Sequence, residues 1–459
     1  MPTLKTKREL SIEAVTLAQS FNLVRYNHLL YMPADFETWD YTVTPDASRM
    51  VWVPLTLQDV EDRCRSQFDT LFDTPRQLDS FYYMTAQAAY QHRVPVSSLL
   101  IRTDSGLKVL RQDGSLDVAD GAFIPNTLMP MLNEDPDDKR RVFEVIVDWL
   151  DSEEEAIAML RHFATALAPN WSAVKYVMLL GSGRNGKSVM MKMLQAIFGR
   201  TNCSNVTRQD ISEKSPAVLD LNGKLLNLVF DGQAVYLKDS GMEKSLVAGE
   251  EVGIRKLYTS ELTPVQTNAL FVEGLNKEPK SGDKSSALQA RLIRFSFQKT
   301  YRLDLDFEQE MLTERMLGAL LSLLIDNYVK KSEIAVMLSP TKKAVEMQLD
   351  HMLTNSIALQ FIDHLESSGT MGADELLGQE MDEIAQQFIS WRVKEGDLNP
   401  WSVPDVHALF KPVADFERKS KRINGSPRKV WVLRAFTHET IQYLSMLKED
   451  DDATAVVHD

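Results

Sequence analysis

Apolar residues recur every three or four positions in LQDVEDRCRSQFDTLF (57–72) and PRQLDSFYYMTAQAAYQHR (75–93), which predicts two amphipathic helices. SLLIRTDSGLKVLRQDGSLDV (98–118) alternates over short runs instead, predicting strands, with Asp113-Gly114 as a turn between two of them. NEDPDDKRR (133–141) reads as a polar break, and helical spacing returns from Val142 to Ala168. Between about 170 and 300, apolar runs alternate with helical stretches, as in α/β domains. The strand candidates there are KYVMLL (175–180), KLLNLVF (224–230), NALFVEGLN (268–276) and RLIRFSF (291–297).

Beyond Tyr301 the pattern turns helical with TERMLGALLSLLIDNYV (313–329). In SPTKKAVEMQLDHML (339–353) the Ser-Pro start suits a helix N-terminus. The last part of the chain predicts a helix over 381–395, a second helix opened by Ser402, and a strand pair about Asn424-Gly425. Helix, helix and basic hairpin in that order suggest a winged-helix module. No internal repeat is visible. The expected division is a small mixed α+β domain over 1–100, a helical and hairpin region over 101–169, an α/β domain over 170–330, a winged-helix-like domain over 340–440, and an acidic tail over 448–459.

A chain of 459 residues, 44% apolar and 25% charged, suffices for two to four ordinary globular domains. It contains no apolar run long enough for a membrane span, and its first residues lack the apolar core of a secretory signal. Cys64 and Cys203 are the only cysteines, which excludes a disulfide framework and favours a reducing, cytoplasmic setting. The net charge of -14 speaks against a general coat for nucleic acid. It leaves room for a motor that confines positive charge to one channel. The run 418–434 carries Arg418, Lys419, Lys421, Arg422, Arg428, Lys429 and Arg434 with no acid among them. As the wing of a winged helix, its Arg422, Arg428 and Lys429 would meet DNA phosphates; as a plain solvated hairpin, they would meet water.

Gly181-Ser-Gly-Arg-Asn-Gly-Lys-Ser188 satisfies G-x-x-x-x-G-K-[ST] between an apolar strand and a helix. Gly181, Gly183 and Gly186 let the backbone close around phosphates, with Asn185 in the same turn. Lys187 would reach the β- and γ-phosphates of ATP, and the Ser188 hydroxyl would hold Mg²⁺. The helix that follows aims its positive end at the same anion. A P-loop also needs an acid on a neighbouring strand, and Asp231 stands at the end of KLLNLVF. Many ATPases place a second acid next, to activate water; here Gly232 and Gln233 follow, so the water-activating group stays open.

With Asn185 before Gly-Lys-Ser, and with the motifs that follow, the chain resembles the superfamily 3 helicases, within them the phage, plasmid and poxvirus primase-helicases. The matching residues are Lys244, Leu246, Gly249-Glu250, Arg255 and Tyr258, then Asn276 and Pro279, then Arg291. The match covers about 100–300 well and 340–435 more loosely. The resemblance implies an AAA+-type ATPase core that works as a ring, commonly a homohexamer. It also implies Asn276 as the polar sensor near the γ-phosphate and Arg291 as the finger reaching a neighbour's ATP, with Arg294 in reserve. The stretch 252–272 would form a hairpin gripping DNA, with Arg255 and Lys256 adding positive charge.

The chain departs from that family at Gly232, in the single arginine opening RLIRF, and in showing no sign of a primase centre before residue 100. The expected function is an ATP-dependent DNA helicase of a phage or mobile element, acting on single-stranded or forked DNA during replication. Its expected partners are other copies of itself and a primase, polymerase or single-strand-binding protein. The alternatives are a replication initiator or loader that uses ATP as a switch, and a nucleotide-binding scaffold with no DNA role.

Overall fold

The computed structural model describes residues 3–4, 6–26, 29–35, 50–68, 70–72, 74–91, 98–120, 122–232, 240–255, 262–276, 291–302, 304–368, 371–397, 399–423, 426–437, 440–441 and 444. The chain divides into one compact unit of 1–279 with 291–341, and a second of 280–290 with 342–459.

After a short strand, Thr3–Leu4, the first unit has a helix, Lys7–Ser20, whose N-terminus is closed by a reciprocal Thr6–Glu9 capping box. It packs with the predicted helices, found as Leu57–Phe68 and Pro75–Ala88. These helices accompany a four-stranded sheet ordered Met50–Leu55, Leu29–Asp35, Val24–Tyr26, Tyr90–Gln91. A second four-stranded sheet takes Thr127–Met131, Leu99–Thr103, Gly106–Leu110 and Leu116–Val118 in that order. Asp113-Gly114 turns the chain between the last two strands, with Gly114 at φ 85°.

The polar stretch 133–141 is a helix start rather than a break. Asp135 caps the helix Pro136–Leu150 by accepting from the Asp137 and Asp138 N–H groups, and Pro136 takes the first turn, where its missing donor costs nothing. Helical spacing continues to Ala168, but Asp151 turns left-handed at φ 57° and Ser152 caps a new helix, Glu153–Ala164. The helix expected from Ser339 begins at Lys342. Just before it, the Thr341 hydroxyl donates to the buried Glu155 carboxylate.

All four predicted core strands form, joined by the short Cys203–Ser204 strand that the sequence did not announce. The sheet is wholly parallel, ordered Cys203–Ser204, Leu226–Gly232, Leu270–Leu275, Tyr176–Leu180, Leu292–Ser296. Parallel strands covered on both faces need near-continuous apolar runs, which is how these segments read. Val177, Leu179, Leu228, Val272, Ile293 and Phe295 join one core cluster with the helices over 136–150, 153–164, 187–198 and 314–326. Burying such a side chain stabilises by about 1.5–3 kcal/mol each. Between these strands, Val252–Arg255 and Leu262–Val265 pair antiparallel as a hairpin, shorter than the 252–272 expected because Leu270–Val272 belongs to the core sheet.

The second unit has helices Lys342–Asn355, Ile357–Ser367, Met381–Lys394 and Val403–Phe410. Phe361, Phe388, Trp391 and Phe410 gather at its centre with ring centroids 5.5 to 6.3 Å apart. Ala414–Ile423 and Ser426–Phe436 then form a long antiparallel ribbon. The Asn424-Gly425 turn lies outside the described residues. Among the described residues, no helix is long and apolar enough to cross a membrane.

Candidate functional site

The Tyr176–Leu180 strand runs into the glycine turn and the turn into the helix Lys187–Phe198, so the helix N-terminus faces the loop. Gly183, Arg184 and Gly186 all take positive φ, 105°, 50° and 93°, which curls the backbone into a concavity of the kind that suits anions. The loop is stitched to its neighbours. The Gly181 N–H donates to the Leu275 carbonyl at 3.0 Å, and Asn185 Nδ2 donates to the Phe297 carbonyl at 2.9 Å. Lys187 Nζ donates to the Gly181 carbonyl at 2.6 Å and to Asn185 Oδ1 at 3.0 Å. Burial lowers the pKa of Lys187, and the charge of Asp231 works against that shift.

The loop opens on a cleft of ≈ 980 Å³. Gly183, Asn185, Gly186, Lys187, Ser188, Asp231 and Asn276 all line it, and Gly181 takes part through its bond to Lys187. Topology explains the convergence. The strands ending at Leu180, Gly232 and Leu275 are neighbours with parallel directions, so their C-terminal ends emerge at one edge. Ligands of open α/β sheets bind outside those ends.

The remaining candidates are scattered. Arg291 is half-buried at the other end of the sheet, where its carbonyl accepts from the Tyr176 N–H at 2.8 Å. Arg294 is 1% exposed, so it cannot be the surface arginine held in reserve as a finger. Arg255 is exposed on the Val252–Arg255 strand, while Lys256, Tyr258 and Pro279 lie outside the described residues. Arg422, Arg428 and Lys429 are exposed along the ribbon of the second unit. There Lys421 sits opposite Arg428 and is engaged by the Glu380 carboxylate, which offsets the like-charge pairing. Across the same ribbon the Arg418 guanidinium lies 4.6 Å from the Trp431 ring centroid.

Three contributions escaped the sequence reading. The helix Pro136–Leu150 supplies Trp149 to the cleft, and Tyr301 joins it from beyond the last strand. The Tyr301 hydroxyl donates to Asp148 at 2.8 Å, and Lys299 bridges Asp148 and Asp151 at 3.0 and 2.9 Å, tying that helix end to the sheet. The third is a polar cluster buried between the sheet and the helices Arg208–Ser212 and Gly241–Val247. Glu273 is 2% exposed, and the Tyr176 hydroxyl donates to its Oε2 at 3.1 Å. Arg208 pairs with Glu243 at 2.9 Å, with its guanidinium 5.5 Å from the Tyr176 ring centroid. Burial pushes the Glu273 carboxyl up to about 7, with Arg208 pulling the other way. An acid in the middle of an apolar strand was the available signal.

No family model matches the chain, and no curated protein matches it in sequence. Among solved structures, an apo structure of the NrS-1 C-terminal region matches with TM-score 0.48 at 12% identity, covering 94% of this chain and 100% of that one. An A-form apo structure of the same region matches with TM-score 0.47 at 12% identity, over 92% and 98%. A JCV helicase solved with a bound phenoxyphenyl acetamide matches with TM-score 0.28 at 15% identity, over 51% and 67%. With these TM-scores below 0.5, the reading of the site rests on its own geometry.

Proposed function

We propose that the chain is an ATP-dependent DNA helicase of a phage or mobile element, with an AAA+-type core that works as a homohexameric ring on single-stranded or forked DNA. The observation that carries the reading is the convergence of Lys187, Ser188, Asp231 and Asn276 on one cleft beneath a positive-φ glycine turn. A triphosphate would sit in the turn, whose N–H groups and helix N-terminus favour anions. Lys187 would exchange its carbonyl partner for phosphate oxygens.

The hydroxyl of Ser188 and the carboxylate of Asp231 form the hard oxygen donor set that Mg²⁺ prefers, and both line the cleft. Bound there, Mg²⁺ would offset charge on the phosphates. Asn276 would position the water, and Trp149 and Tyr301 offer aromatic faces beside the nucleotide. Arg291, at the far end of its own sheet, suits a finger that serves a neighbouring subunit. The Val252–Val265 hairpin with Arg255 and Lys256, and the winged-helix-like second unit with Arg422, Arg428 and Lys429, would carry the DNA contacts.

ATP hydrolysis measured with and without single-stranded DNA, followed by strand displacement on a forked duplex, tests the reading. Stimulated hydrolysis and unwinding, both lost in Lys187→Ala, are expected; hydrolysis indifferent to DNA would refute a helicase. A replication initiator or loader that uses ATP as a switch is the second reading. Gly232, standing where a second acid is frequent, favours it; stimulated hydrolysis without unwinding would select it.

A further inference from the structure

We propose that Glu273 is the general base of ATP hydrolysis, supplied from the strand beside that of Asp231 and not from the position after Asp231. The inference rests on the ATPase reading and adds the group that reading lacks.

The geometry begins with a strand irregularity. Val229 pairs with Glu273 and Gly232 pairs with Leu275, so three steps along one strand match two along the other. One extra residue on the Asp231 strand makes this a bulge, a device that re-aims side chains beside active sites. The bulge turns Gly232 onto the face occupied by Glu273. A Cβ built on Gly232 would lie 2.2 Å from Glu273 Oε1 and 2.6 Å from both its Cδ and Cγ. The carboxylate of Glu273 therefore fills the space that a side chain at 232 would enter. Glycine at 232 and glutamate at 273 are two halves of one arrangement.

The orientation is fixed as well. The Tyr176 hydroxyl holds Oε2, and Oε1 is the oxygen nearest Gly232, next to Asp231. Gly274 and Asn276, on the same strand as Glu273 or just past its end, line the nucleotide cleft, while Glu273 points to the other face of the strand and lies buried just behind that lining, 2% exposed, where water must reach it past Asp231 and Gly232. In the reaction, Glu273 accepts a proton from water as the water oxygen bonds to the γ-phosphorus. The bond from that phosphorus to the β–γ bridging oxygen breaks, and its electron pair leaves with ADP. The proton on Glu273 then passes to the phosphate product or to solvent. A carboxylate desolvated by burial is a stronger base than one in water.

Glu273→Gln keeps the size of the side chain and an oxygen for Tyr176, so it separates chemistry from packing. The expected result is a kcat at least ~100-fold lower, with affinity for a fluorescent ATP analogue within about twofold of wild type. A second variant, Gly232→Glu with Glu273→Ala, returns a carboxylate from the other strand and should recover hydrolysis well above the Glu273→Gln level. Wild-type kcat in Glu273→Gln would overturn the proposal. So would a folded glutamine variant that no longer binds the analogue, because that marks a structural role. If Glu273→Gln does not fold, the transplant decides: recovered hydrolysis supports the base, and a folded, nucleotide-binding, inactive protein rejects it. A wild-type protein that binds no ATP or hydrolyses none would instead defeat the ATPase reading on which this inference stands.

Discussion

Trp149 stands directly over Gly186: a Cβ at position 186 would lie 2.4 Å from the indole Cε2. The helix before the core sheet thus presses on the glycine that opens the helix after the loop. Gly186 also holds φ 93°, a conformation costly for any other residue. Gly186→Ala should lower the denaturant midpoint by the equivalent of at least ~1–3 kcal/mol and weaken nucleotide binding. Pairing it with Trp149→Ala should give non-additive losses, since the second change removes the steric part of the first. Strict additivity in denaturant titrations would show that the contact is unimportant.

Lys187→Ala should abolish nucleotide binding measured by fluorescence with little loss of stability. Its two short bonds go to the loop's own oxygens, which can turn to solvent in the cleft. A large fall in melting temperature with binding intact would contradict the assignment.

The Arg208–Glu243 pair is a different case, with side chains only 6% and 4% exposed. Removing one partner strands the other charge in the protein, so Glu243→Ala should cost ~3–5 kcal/mol in chemical denaturation. A cost well under ~1 kcal/mol would mean that water enters the cluster.

His162 gives the fold an acid limit. Its pKa is pushed down to about 4 by burial, while Nδ1 lies 2.7 Å from the Ala158 carbonyl oxygen. Above the unfolded value near 6.5, both states are neutral and stability is complete. As pH falls from about 6.5 towards 4, the unfolded chain takes up a proton that the folded one refuses. Stability should therefore decline by on the order of 3 kcal/mol across that window. In His162→Phe this part of the decline should vanish when melting temperature is followed against pH.

Arg422, Arg428 and Lys429 are exposed on the ribbon, in contrast to Lys421, which Glu380 engages. Changing the three to alanine should weaken single-stranded DNA binding and reduce the slope of log K against log salt by about 2. An unchanged slope in fluorescence anisotropy titrations would remove the ribbon from the DNA interface.

The four main strands, the glycine turn and the acid at a strand end were legible because each is written in consecutive residues. Strand order was not: the pairing that sets Leu270–Leu275 between its two neighbours is decided by packing across the domain. The helix at Pro136 is masked in sequence by its polar first turn, whose charges read as a break although Asp135 and Pro136 are good starting residues. Glu273 was missed for a related reason. Its partner Tyr176 is 97 positions away, and its relation to Gly232 depends on a bulge that no local pattern records. A search for two consecutive acids passes over such a site, because here adjacency is made by strand pairing.

The ribbon over 414–436 has a mechanical consequence. It is fastened near its base, where Gly378 and Gln379 exchange backbone hydrogen bonds with Leu433 and Glu380 bridges to Val432. From Val432 to the last described pair, Ile423 with Ser426, the two strands run on for about 20 Å, braced part-way by the Lys421–Glu380 ion pair. Force applied at its outer end would be shared between the Lys421–Glu380 ion pair and the fastened end, whose Leu433 and Phe436 pack in the same core as Phe388 and Phe410.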